Sequence, residues 1–156
     1  MSVNATATAA TTTAPLADAR ALGLAHYAAR GVLEHVLGRY GTTFQQQIAL
    51  RAAVTAETPR TPDELVAQVQ GSLKADPAEV HATLDELRTR GLLVMDGAHI
   101  RPTDAGRELL ATLAAETAPI SARVWGGIAE EDLAAAGRVL ALVTERANAE
   151  LAALTA

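Results

Sequence analysis

The sequence predicts a mainly α-helical fold with one small β-hairpin. Alanine supplies 36 of the 156 residues and aromatics only 3%, which favours helices packed through small side chains over a sheet of β-branched and aromatic residues. Two segments, Thr61-Pro62-Asp63-Glu64 and Asp76-Pro77-Ala78-Glu79, have a capping residue, then Pro, then an acid two residues later, the pattern of a helix start. Asp96-Gly97 lies between Leu92-Leu93-Val94-Met95 and Ala98-His99-Ile100-Arg101, where such a dipeptide marks a hairpin turn. A domain of this length buries about 68–70% of its unfolded surface, enough for a true core.

Taken in order, the elements begin with a helix over residues 18–38, where Leu22, Ala25, Ala29, Val32, Leu33, Val36 and Leu37 keep helical spacing. Gly38 and Gly41 end it. Thr42 or Thr43 caps a second helix with Phe44, Ile48, Leu50, Ala52 and Val54 on its apolar face, and Thr58-Pro59-Arg60 forms a loop. The third helix is short, Pro62 to about Val69, broken by Gly71, with Leu73 in the following turn. The fourth runs from Pro77 to Arg90, buries Val80, Leu84 and Leu87, and stops at Gly91. Residues 92–95 and 98–101 pair as strands. Thr103 caps a long helix that Pro119 kinks or breaks. A last helix opens with Glu130, Glu131 and Asp132 and carries a stripe of Leu133, Val139, Leu140, Val143, Ala147, Leu151 and Leu154.

Composition excludes several function classes. Without cysteine there is no disulfide, thiolate metal site, cysteine nucleophile or thiol switch. The four histidines, His26, His35, His81 and His99, do not sit at ligand spacing, and there is no nucleophile elbow, zinc-protease motif or phosphate loop. Neither an enzyme nor a metal or other cofactor is expected. Residues 1–17, mostly Ala and Thr, read as a flexible tail. No apolar stretch has signal-peptide or membrane-span character, so a cytoplasmic protein with no membrane partner is expected. The net charge of −5 argues against a generic nucleic-acid binder, which is normally basic.

Helix, turn, helix, hairpin and long helix in that order make a winged helix-turn-helix. Here the sequence resembles the MarR family of bacterial winged-helix regulators. Leu87-Arg88-Thr89-Arg90-Gly91-Leu92-Leu93 is similar to that family's L-x-x-x-G-L-V, and Pro102-Thr103-Asp104-Ala105-Gly106-Arg107-Glu108-Leu109 to its L-T-x-x-G-R-x-L. Thr42-Thr43-Phe44-Gln45-Gln46-Gln47 fits the entry to its second helix. The likeness covers roughly residues 18–155.

The resemblance implies a homodimer. Residues 18–41 and 103–156 would form a helical dimerisation region, and 42–102 the DNA-binding domain. It implies double-stranded operator DNA as partner, a pseudo-palindrome read by paired winged helices one turn apart, with repression as the expected output. The DNA-contacting set would be Lys74, Ala78, His81, Ala82, Arg88, Arg90 and Arg101. It also implies a pocket for a small aromatic or anionic effector, with His26, Tyr27, Arg30, Phe44, Gln47 and Trp125 as candidate walls. Each of these side chains also has an ordinary role available, in the core, at an interface or in solvent.

Two features depart from the family. From Arg60 to Arg107, six basic residues (Arg60, Lys74, Arg88, Arg90, Arg101, Arg107) face eight acids, a local charge of −2; Glu79, Asp85 and Glu86 lie on the expected reading helix, where they repel phosphate. The hairpin is also shorter than the family's wing and lacks its D-x-R pattern. The alternative is therefore a MarR-fold dimer with lost or weakened DNA binding, acting as a ligand-sensing or protein-interaction module.

Overall fold

A computed structural model describes residues 16–156; residues 1–15, most of the expected flexible tail, lie outside the described residues. The elements are α1 (Ala19–Gly38), α2 (Phe44–Val54), α3 (Pro62–Leu73), α4 (Pro77–Thr89), β1 (Leu93–Asp96), β2 (His99–Pro102), α5 (Asp104–Trp125) and α6 (Glu130–Leu154). This is a mainly α winged helix-turn-helix joined to a helical region, as the sequence predicts.

Side chains start most of the helices. Asp18 accepts from Ala21 N at 2.8 Å to open α1. Thr43 and Gln46 form a capping box on α2, and Thr61 and Glu64 another on α3. Each cap satisfies backbone donors that the first helical turn leaves unpaired. The Thr61 amide donates to Glu64 at 2.9 Å, and that bond holds the Glu64 carboxyl below its usual pKa.

Four local expectations need correction. Gly71 does not break α3, which runs on to Leu73; a helical glycine costs only about 1 kcal/mol relative to alanine. The left-handed cap falls on Lys74 instead (φ 55°), the only non-glycine with positive φ among the described residues, and its Nζ donates to Gly71 O at 2.6 Å. Pro119 lies inside α5 without ending it. It forfeits the bond to the Ala115 carbonyl, and both residues are exposed, so water can take the missing donor's place. The buried part of α2 is wider than the expected stripe. Leu50 is buried and Phe44, Ile48, Ala52 and Val54 are half-buried against the two cores. Gln46, Gln47, Ala49 and Ala53 are buried as well, because α2 touches α1, α3, α4, α5 and β2 and so has no single inner face. Both strands begin one residue later than expected, with Asp96 opposite His99. Gly97 therefore takes the first turn position (φ 61°), as in a type II′ turn.

The main core joins Ala49 and Leu50 of α2, Leu65, Val66 and Val69 of α3, Val80, Leu84 and Leu87 of α4, and Leu93 and Ile100 of the hairpin. A bridge between Arg60 and Ile100 adds a third edge to the two-stranded sheet. Gly106, in the first turn of α5, is buried against the Leu92 carbonyl and Leu50. A smaller cluster of Val36, Leu37 and Leu113, flanked by Leu33, Tyr40, Phe44 and Ile120, ties α1 and α5 to α2. By contrast α6 buries no residue; Val139, Leu140, Leu142, Val143 and Leu151 are all exposed, as are Leu22, Leu24, Tyr27 and Val32 on α1.

Candidate nucleic-acid interface

The core grips α4 on one side. Val80, Thr83, Leu84 and Leu87 are buried, whereas Ala78, Glu79, Ala82, Asp85, Glu86 and Arg88 are exposed and His81 is half-buried. Asp76 caps the helix by accepting from Ala78 N at 2.7 Å, and Thr83 closes back on the Glu79 carbonyl at 2.9 Å. With α3 behind it and the hairpin beside it, the free face of α4 is an exposed helix surface of the size and shape a major groove admits.

The basic residues on or near this face already have partners within the chain. Lys74 bonds Gly71 O. His81 Nε2 lies 3.4 Å from Asp63 Oδ1, Arg88 pairs with Asp85 at 2.8 Å, and Arg101 on β2 pairs with Asp96 at 2.9 Å. These surface pairs are worth little and exchange readily for a phosphate. The expected set thus falls in three places: Lys74 in the turn, Ala78, His81, Ala82 and Arg88 along α4, and Arg101 on the hairpin.

Arg90 departs from that set. It is the C-cap of α4, and its guanidinium points inward to Gln46 Oε1 (2.9 Å), the Tyr40 carbonyl (3.2 Å) and Thr42 Oγ1 (3.3 Å). The Gln46 amide donates in turn to Glu86 at 2.8 Å. Helical spacing alone would pair Glu86 with Arg90 directly; in the structure Gln46 stands between them. Gln46, Ala82, Asp85, Glu86, Thr89 and Arg90 border an open depression of about 500 Å³.

In the turn between α1 and α2, Tyr40 and Arg39 both donate to the Glu116 carboxylate of α5. The bond to Glu116 raises the Tyr40 phenol above its usual pKa, with burial adding to the shift. Nothing in the local sequence signals this cluster, because Glu116 lies 76 residues from Tyr40.

The expected effector-binding residues do not share one cavity. His26 and Tyr27 meet edge to face with centroids 5.5 Å apart. The Arg30 guanidinium sits 4.7 Å above the Phe44 ring and 2.8 Å from Glu34. Gln47 is buried, with Oε1 unpartnered. Trp125 alone of the six lines the apolar groove of about 160 Å³ between α1 and α5, with Ala29, Val32, Leu33, Thr117, Ile120, Ser121 and Val124. No described helix is long and apolar enough to cross a membrane.

A sequence model described as a helix-turn-helix family matches residues 48–154. No curated protein sequence matches the chain. Among solved structures, CouR from Rhodococcus jostii RHA1 bound to p-coumaroyl-CoA is 21% identical with a TM-score of 0.66, over 79% of this chain and 88% of that one. A MarR-family transcriptional regulator from Rhodococcus sp. RHA1 is also 21% identical, with a TM-score of 0.65, over 79% of this chain and 89% of that one. The transcriptional regulator SlyA is 13% identical with a TM-score of 0.68, over 84% of this chain and 94% of that one. The fold is thus a MarR-like winged helix.

Proposed function

Because this chain belongs to the helix-turn-helix family whose model spans residues 48–154, we propose that it is a homodimeric, non-enzymatic DNA-binding regulator that represses by occupying a pseudo-palindromic operator. The observation that carries the reading is the exposed face of α4, backed by α3 and flanked by the hairpin. Residues 42–102 then form the DNA-binding domain. Residues 18–41 and 103–156 form the dimerisation region, where exposed Leu22, Leu24 and Val32 of α1 and Val139, Leu140 and Val143 of α6 would be covered by a second copy. On this reading Ala78, His81, Ala82 and Arg88 face base edges and adjoining phosphates, while Lys74 and Arg101 take phosphates. The apolar groove beside Trp125 is the place for a small aromatic effector, in keeping with CouR's capture of p-coumaroyl-CoA.

A second reading, an interaction or ligand-sensing module with weakened DNA binding, draws its support from Glu79, Asp85 and Glu86 on the free face of α4. One titration separates the two. The purified protein is titrated against the DNA upstream of its own gene at low and moderate salt. The regulator gives saturable binding with a steep salt dependence that Arg101→Ala flattens by about one phosphate contact, about 0.9 in slope. No complex at micromolar protein in low salt removes the first reading and leaves the second.

A further inference from the structure

Arg90 sits where a DNA-contacting arginine would be expected, yet its guanidinium, though on an exposed residue, is taken up by partners within the chain. A guanidinium offers five donors in a rigid fork, and here that fork spans Gln46 Oε1, the Tyr40 carbonyl and Thr42 Oγ1. The Tyr40 carbonyl lies just past the C-terminal end of α1, where the helix dipole favours a cation. Gln46 extends the hold: its Oε1 also accepts from Thr43 N at 3.1 Å, and its Nε2 donates to Glu86. The exit of α4 is therefore fastened by Arg90 and Glu86 to the turn between α1 and α2. Glu116 of α5 holds the same turn through the Arg39 and Tyr40 side chains.

We propose that Arg90 is a positioning residue for the reading helix, and that the 39–43 turn couples the α1–α5 base to α4, so that the seat of Glu116 on α5 sets the orientation of α4. Resting on the regulator reading, this gives Arg90 no phosphate. The links are side-chain hydrogen bonds with at least one charged partner at each end, while α4 otherwise touches the rest of the protein through α2, α3 and β1. A shift of α5 against α2 moves the Glu116 anchor, the turn and the exit of α4 together.

The test compares Arg90→Lys, Arg90→Ala and Glu116→Ala in the full chain, by DNA titration across salt and by amide hydrogen exchange of the protein alone. Lysine keeps the charge but loses the fork. A positioning role predicts that Arg90→Lys weakens binding as much as Arg90→Ala, by about ten-fold, the loss expected for one charged hydrogen bond. It also predicts that Glu116→Ala, which touches no DNA, weakens binding in the same direction, and that all three variants speed exchange at residues 39–43 and 86–92. If Arg90→Lys binds like the parent while Arg90→Ala sheds about 0.9 of salt slope, Arg90 is a phosphate contact and the proposal is overturned. Unchanged exchange at 86–92 in Glu116→Ala overturns the coupling. Should the parent protein bind no DNA at all, the regulator reading falls, and the exchange measurements still decide the positioning role.

Discussion

Gly106 packs so tightly under Leu92 that a Cβ at position 106 would overlap the Leu92 carbonyl oxygen and press on Leu50 Cδ1 at 3.2 Å. The same carbonyl accepts the Thr103 amide at 3.0 Å, fixing the start of α5 to the entry of β1. Backbone cannot yield as a flexible side chain does. Gly106→Ala is therefore expected to destabilise by about 1–3 kcal/mol, reversing the usual helix preference for alanine. Gly71→Ala, in open space within α3, should stabilise by up to about 1 kcal/mol. Urea unfolding of the two variants checks the opposite signs.

Lys74 holds a left-handed conformation that glycine adopts without cost. Lys74→Gly should raise stability by about 1 kcal/mol and, on the regulator reading, flatten the salt dependence of DNA binding by about 0.9. Thermal unfolding and a salt titration on the same preparation would show the gain and the loss together.

Asp85 holds Arg88 at 2.8 Å on the free face of α4. Asp85→Asn removes a charge that opposes phosphate and releases the guanidinium. Non-sequence-specific duplex binding should tighten by about two- to five-fold, the scale of an exposed charge pair. Equal affinity before and after would mean that this face of α4 does not meet DNA.

The Tyr40 phenol, hydrogen-bonded to Glu116, should ionise above its ordinary value of about 10. The folded state therefore holds the phenolic proton more tightly than the unfolded chain. The stability this contributes is complete below the unfolded pKa and is lost as pH rises through the folded one. In a Tyr27→Phe background, tyrosinate absorbance reports Tyr40 alone. Glu116→Gln should bring the midpoint back down.

Val143 is exposed among the apolar residues of α6, a helix with no buried residue in the lone chain. Val143→Glu would place a charge within the proposed subunit interface, where an unpaired charge is costly. Sedimentation at micromolar concentration should find a dimer for the parent and a monomer for the variant.

The order of elements was legible because its markers are local. Pro62 and Pro77 follow their capping residues, Gly91 terminates α4, and Gly97 turns the hairpin, each through the backbone chemistry of one or two positions. What sequence could not supply was long-range. Gln46 reads as a capping-box residue, and nothing in its neighbours says that it also bridges Glu86 and Arg90, 40 and 44 residues away. Gly71 and Pro119 look like breakers by propensity, but each helix tolerates the small local cost. The six expected effector-binding residues share chemical character rather than place: α1 turns Tyr27 to solvent, and Trp125 lies at the far end of α5.

Lys74 is the chain's one lysine among 13 basic residues, and no cysteine is present. An amine-directed dye therefore has a single side chain to attach to, in the exposed turn that links α3 to α4. Lys74 is thus a native side-chain attachment point in the turn before α4, and a dye there removes the charge that the regulator reading gives to a phosphate, so the labelled protein tests that contact with no engineered residue.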